Sequence, residues 1–180
     1  MKQFDLEKAI DFCKLGHDSI NQVRKYTGEP YWNHPIEVME IVRSVPHTPQ
    51  MLIAALFHDL VEDTPITLET IGENFGYEVA VLVEMLTDPS KTEDGNRSIR
   101  KNIDLQHTAI ACTEAKTIKL ADLISNTKSI VDYDIDFARV YLKEKELLLG
   151  VLKDGDKTLY ERAFSLMQES QLRIMRMSLQ

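Results

Sequence analysis

Two cysteines, Cys13 and Cys112, in 180 residues are too few for a disulfide framework, and they read as reduced thiols of a cytoplasmic chain. Seven glycines and six prolines exclude a collagen-like or loop-dominated repeat. No stretch approaches the roughly 18 uninterrupted apolar residues of a membrane span. The opening MKQFDLEKAIDF mixes charge with apolar residues where a secretory leader carries an apolar run. A cytoplasmic chain with no membrane partner is therefore expected. Basic charge is also short: 21 Lys and Arg stand against 29 Asp and Glu, a net charge of −8. That is the wrong sign for a nucleic-acid polymer, whose binding draws on many Lys and Arg contacts to phosphate. A small phosphorylated ligand stays compatible, because a few cations or one bound divalent ion can hold it locally.

The chain does have abundant apolar residues spaced three and four apart, as in Phe4, Ile10, Phe12 and Leu15, or Val140, Tyr141, Leu147 and Leu148. This spacing marks helices that turn one face inward. Strand-like alternation is almost absent. Breakers at residues 27–30, 46–49, 64–65, 76, 88–89 and 154–156 cut the chain into pieces of ordinary helix length. The expectation is an all-α fold of roughly eight or nine helices, a single domain over 1–180.

Pro35 suits the first turn of a helix over 35–44, which sets His34 at its mouth. The next helix, about 49–62, carries the most apolar run, Met51-Leu52-Ile53-Ala54-Ala55-Leu56-Phe57, and ends in His58-Asp59-Leu60-Val61-Glu62-Asp63. Thr67 caps a short helix that stops at Gly76, a residue suited to a left-handed cap. A further helix over about 114–130 holds Asp122 and Asn126. The polar run 88–96 reads as a mobile surface loop near a site. The segments 134–150 and 156–177 read as amphipathic closing helices, with Met167, Met175 and Met177 as core or partner-facing filler.

A buried helix that ends in His58-Asp59 brings a His and a carboxylate where desolvation is costly unless they are paired or bind a metal. Glu62 and Asp63 follow one helical turn later and share that face, so three acids and a His converge and favour a cation. His34 is fixed between Tyr31-Trp32-Asn33 and Pro35, and Asp122 sits within the apolar Thr117-Ile118-Lys119-Leu120-Ala121-Asp122-Leu123-Ile124. Two imidazoles and two carboxylates suit a six-coordinate Mn²⁺ or Fe²⁺ better than a closed tetrahedral zinc site. A second pair, His17-Asp18, follows no buried run; it reads as a solvated surface pair and is set aside as a metal site.

The order His34, His58-Asp59, Asp122 resembles the H…HD…D pattern of the HD-domain metal phosphohydrolases. The resemblance narrows further. Residues 24–35, RKYTGEPYWNHP, are similar to the RKSGEPYxxHP segment of the hydrolase domain of RelA/SpoT homologues. Residues 54–64, AALFHDLVEDT, are similar to its AALLHDxxEDT; Phe75-Gly76 with Val79 to Val83 resembles FGxxVAxLV, and 117–122 match TIKLAD. These motifs cover about residues 22–130, and the chain is about the size of that hydrolase domain alone. The resemblance implies a small alarmone hydrolase. Its reaction is Mn²⁺-dependent removal of the 3′-pyrophosphate of guanosine tetraphosphate or pentaphosphate, which leaves GDP or GTP. It also implies that His34, His58, Asp59 and Asp122 bind one divalent metal, Mn²⁺ or alternatively Fe²⁺, while Glu62 and Asp63 orient and deprotonate the attacking water.

For the nucleotide, the resemblance implies that Arg24 and Lys25 lie against the guanine base, and it adds Asn126 and Lys128 as substrate-binding residues. Leu123, Thr127, Trp32, Lys128 and Ser129 depart from the family pattern around the nucleotide helix. They leave open an HD phosphohydrolase acting on another nucleotide or a phosphorylated dinucleotide cofactor. A non-catalytic nucleotide sensor is the reading from another class; the presence of all four ligands and both acids argues against it. No oligomeric state is read from the sequence.

Overall fold

The computed structural model describes residues 5–177 except the side chain of Ser129; Phe4 and that side chain lie outside the described residues. Among those residues the fold is all-α: ten α-helices, nine of them eight residues or longer, and one short 3-10 turn. The strand-like element is one antiparallel bridge between Val23 and Pro30. No described helix is long and apolar enough to cross a membrane. The backbone divides after Asp88 into two compact units.

The first unit holds α1 (Leu6–Asp18), α2 (Asn33–Arg43), α3 (Pro49–Phe57), α4 (Leu60–Asp63), α5 (Leu68–Phe75) and α6 (Tyr77–Leu86). Local chemistry sets these boundaries. Asp5, Thr48 and Thr67 each accept a backbone N–H in the first turn of α1, α3 and α5, which satisfies donors that a helix start leaves orphaned. Pro35 falls in the first turn of α2, as expected. Gly76 ends α5 with φ 102° and ψ 156°. This positive-φ conformation is open to glycine alone, although it is extended rather than the left-handed helical cap expected from sequence.

The expected helix over 49–62 is two helices. His58 and Asp59 form a turn between α3 and α4, and the His58 Nδ1 lies 2.8 Å from the Ala55 carbonyl. In a continuous helix that carbonyl would serve the N–H of Asp59, so the imidazole competes with the backbone ladder and the helix breaks there. The core around the break is aromatic. Phe57 meets Phe12 of α1 at 5.4 Å and Phe75 of α5 at 4.8 Å between ring centroids, and Phe12 and Phe75 lie 5.1 Å apart. Phe57 is fully buried, so Phe57→Ala is expected to lose about 3–5 kcal/mol of stability, read as a lower urea midpoint. Cys13 is buried too, and burial above all pushes its thiol up to about 12. It stays protonated and inert.

Gly16 lets α1 lie close on this region. A Cβ there would meet the Leu60 side chain at 2.7 Å and that of Ile66 at 2.9 Å. The end of α1, with His17, is thereby pressed against α4.

The second unit holds α7 (Arg97–Ala109), α8 (Thr113–Tyr133), α9 (Ile135–Val151) and α10 (Lys157–Met177), preceded by a 3-10 turn at Thr92–Asp94. Arg97 forms a two-pronged pair with Glu144, at 2.7 and 2.8 Å, and lies over the Phe137 ring, which ties α7 to α9. The Asp156 N–H donates to Thr117 Oγ1, so the start of α10 is anchored on α8. The run 88–96, expected as a mobile surface loop near a site, is exposed from Lys91 to Asn96 and is tied down by hydrogen bonds: the Ser90 N–H donates to the buried Asp104 and the Lys91 N–H to Asp94. Met167 belongs to the core, whereas Met175 and Met177 are exposed.

Candidate metal centre

Three of the four expected ligands converge in the first unit. His34 enters from the first turn of α2, where its N–H donates to the Tyr31 carbonyl at 2.9 Å and Pro35 follows. His58 and Asp59 enter from the turn between α3 and α4. Both imidazoles are 2% exposed. Asp59 Oδ2 lies 3.0 Å from His58 Nε2 and 3.8 Å from His34 Nε2. The three side chains offer ligand atoms within 4.8 Å of one another.

This arrangement fits a cation. With Nδ1–H donated to the Ala55 carbonyl, a neutral His58 keeps its lone pair on Nε2 and aims it at a carboxylate oxygen. Two acceptors that face each other in a buried place repel unless a proton or a metal ion stands between them. The carbonyl bond to Nδ1 is also the usual way in which a ligating imidazole is held in one tautomer and orientation. Asp59 Oδ2 is held from the other side as well: the Tyr31 hydroxyl donates to it at 2.7 Å.

The two acids expected one turn later are present and engaged. Glu62 Oε1 accepts the Asp88 N–H at 2.6 Å. Asp63 Oδ2 accepts from Gln22 Nε2 at 2.8 Å. The surroundings of Asp63 push its carboxyl above the ordinary range, chiefly by desolvation and then by the nearby charge of Asp59, while the Gln22 bond draws it back.

Gln22 and Tyr31 face each other across a small hairpin. The Tyr31 N–H donates to the Gln22 carbonyl and the Arg24 N–H to the Glu29 carbonyl, around the isolated bridge from Val23 to Pro30. One hairpin thus serves both acids, Tyr31 on Asp59 and Gln22 on Asp63. Arg24 and Lys25 stand on the same hairpin: the Arg24 guanidinium lies 5.8 Å from the Tyr31 ring centroid and the Lys25 ammonium 4.8 Å from that of Tyr26.

Asp122, the fourth expected ligand, belongs to the second unit, on α8. It is 7% exposed and accepts from Asn126 Nδ2 at 2.6 Å, the contact that their four-residue spacing forecasts. Lys128 is exposed on the same helix. Of the departing positions, Leu123 and Thr127 are buried, and Thr127 Oγ1 donates to the Leu123 carbonyl. Trp32 turns to α1, where its Nε1–H donates to Asp18 and Lys14 lies over its ring.

His17 corrects the sequence reading. It is not a solvated surface residue: it is fully buried, its Nδ1 lies 2.6 Å from Gln22 Oε1, and its ring rests on that of Tyr31 at 4.9 Å; only Asp18 of the pair is exposed. Charge spacing along α1 gave no sign of this, because the contacts come from the hairpin and from the close approach at Gly16. Gln22 was missed for the same reason.

Comparisons with known proteins give the family of the chain. The HD-domain family model matches residues 9–140. The guanosine-3′,5′-bis(diphosphate) 3′-pyrophosphohydrolase of Aquifex aeolicus is 32% identical over 126 residues, 70% of this chain and 18% of that protein. A probable GTP pyrophosphokinase of Mycobacterium leprae is 34% identical over 126 residues, 69% of this chain and 16% of its own. The chain thus spans less than a fifth of the length of these relatives. A solved structure described as a metazoan ortholog of SpoT that hydrolyzes ppGpp and plays a role in starvation responses superposes with a TM-score of 0.81. It is 26% identical, and the match covers 91% of this chain and 94% of that one.

Proposed function

The chain belongs to the HD-domain family, and from that premise we propose that it hydrolyses the 3′-pyrophosphate of guanosine tetraphosphate or pentaphosphate, releasing pyrophosphate and GDP or GTP. The observation that carries this reading is the convergence of His34, His58 and Asp59, with Glu62 and Asp63 following on α4. The activity for which the Aquifex aeolicus relative is named and that described for the metazoan protein support the substrate. The whole chain acts as one HD hydrolase domain in this reading; in its support, the family match runs across the division at Asp88. The free thiols fit the reducing cytoplasm expected for it.

His34, His58, Asp59 and Asp122 would hold one divalent ion, Mn²⁺ or Fe²⁺ by the character of the donors. When bound, such an ion lowers the pKa of water and offsets the charge that builds on the phosphoryl oxygens. Glu62 and Asp63 orient the attacking water and take its proton; the bonds from Asp88 and Gln22 hold them for that work. The water oxygen joins the phosphorus next to the ribose, the bond from that phosphorus to the 3′ oxygen breaks, and the 3′ oxygen takes up a proton. Arg24 and Lys25, on the hairpin, lie against the guanine base, where a guanidinium plane stacks well. Asn126 and Lys128 contact the substrate from α8. Leu123 and Thr127 are buried, so these two departures alter helix packing more than the face that a nucleotide would touch.

The test is product analysis with guanosine tetraphosphate, with Mn²⁺ and separately with chelator, beside ordinary nucleotides and phosphorylated dinucleotide cofactors. Metal-dependent release of pyrophosphate and GDP is expected. Turnover of another panel member alone would keep the HD chemistry and refute the alarmone, and binding without any turnover would mark a sensor.

A further inference from the structure

We propose that His17 is a positioning residue that acts through Gln22 to hold Asp63 in its working orientation. The inference rests on the role given to Asp63 above. Three contacts define the relay. His17 Nδ1 meets Gln22 Oε1 at 2.6 Å, and Gln22 Nε2 meets Asp63 Oδ2 at 2.8 Å. The backbone doubles the first link, since the Gln22 N–H donates to the His17 carbonyl at 3.1 Å.

The chemistry gives the relay a direction. An ionised carboxylate only accepts hydrogen bonds, so the Gln22 amide must turn its NH₂ to Asp63 and its carbonyl to His17. His17 Nδ1 must then carry a hydrogen. Burial, as the largest influence, pushes the His17 imidazole down, which favours the neutral ring with its one hydrogen on Nδ1 and a lone pair on Nε2. That Nε2 is buried without a hydrogen-bond partner. A leucine or phenylalanine would fill this fully buried place without leaving a buried acceptor unsatisfied. What the imidazole alone supplies is the N–H that stops the amide from flipping.

The backbone between the two residues supports the same reading. Asn21, immediately before Gln22, is the one non-glycine residue with positive φ among the described residues, at 53°. The left-handed turn brings the chain back so that Gln22 lies over the end of α1, and asparagine tolerates it better than most residues. The ring of His17 also rests on Tyr31, whose hydroxyl donates to Asp59. One buried histidine therefore backs the side chains that reach both acids.

The experiment compares His17→Leu, His17→Asn and Gln22→Met in the full chain, with guanosine tetraphosphate and Mn²⁺. The asparagine amide nitrogen sits close to where Nδ1 does and keeps a donor for Gln22; leucine and methionine remove the link. His17→Leu and Gln22→Met should each lower kcat by about 10–100-fold, the usual range for an outer partner of a site, with KM and Mn²⁺ affinity within about twofold of the parent. His17→Asn should recover most of kcat. In an Asp63→Asn background, His17→Leu should add nothing, because groups that act as a unit are not additive. The metal-free protein offers a second readout: imidazole nitrogen shifts should show hydrogen on Nδ1 of His17 and a bare Nε2.

Hydrogen on Nε2, an asparagine variant no faster than leucine, or additive losses would each overturn the relay. So would parental kcat in His17→Leu or Gln22→Met beside a slow Asp63→Asn, and that result would leave the role of Asp63 intact. Parental turnover in Asp63→Asn would overturn both. Should His17→Leu fail to fold, Gln22→Met decides, because Gln22 is only half-buried and its loss leaves the core untouched.

Discussion

Asp59→Ala is expected to abolish Mn²⁺ binding and turnover together. One oxygen of this carboxylate, Oδ2, lies 3.0 Å from His58 Nε2, 3.8 Å from His34 Nε2 and 2.7 Å from the Tyr31 hydroxyl. It is the point on which the site converges. Alanine removes the negative charge and leaves two buried imidazoles facing each other, with ring centroids 5.2 Å apart. Loss of an outer partner of a metal ligand costs about 10–100-fold in affinity, and loss of a ligand from a small open site exceeds that. Titration calorimetry with Mn²⁺ gives the affinity, and pyrophosphate release gives the rate. The fold should survive, because Asp59 keeps a partly exposed side chain and the core ring cluster of Phe12, Phe57 and Phe75 does not involve it. Full turnover in this variant would refute the metal assignment.

Glu62→Gln should separate chemistry from binding. Glutamine keeps an acceptor oxygen for the Asp88 N–H, now 2.6 Å from Glu62 Oε1, so the start of the following segment stays tethered. It removes the charge and the capacity to take a proton. General-base catalysis contributes about 10²–10⁴-fold, so kcat should fall within that range while Mn²⁺ affinity and the unfolding midpoint stay near the parent values. Single-turnover measurements with saturating guanosine tetraphosphate isolate the step. A parental rate would show that Glu62 does not act on the water.

Much of the candidate site's residue set could be read along the chain because each signal was local. His34 announces itself by the rigid Trp32-Asn33-His34-Pro35 passage, and His58-Asp59 by the apolar run before it. Asn126 reaches Asp122 because four residues make about one helical turn. The helix expected over 49–62 failed for a reason equally local but invisible in periodicity: the His58 ring takes the Ala55 carbonyl and breaks the ladder at the residues that the site needs exposed to one another. The run 88–96 shows the same limit, since polar composition does not reveal that Asp104, ten or more residues on, accepts the Ser90 N–H.

Sequence alone was enough for the all-α class, the cap at Thr67, and the residue types that can hold a divalent cation, since helix period, capping chemistry and ligand character act over a few residues. It could not reveal the surroundings of those residues. The burial of His17, the amide of Gln22 turned to Asp63, and the Tyr31 hydroxyl on Asp59 all depend on a hairpin and a helix end meeting through the close approach at Gly16. Contacts between residues tens of positions apart follow from how helices pack in three dimensions, and a one-dimensional pattern carries no measure of that distance.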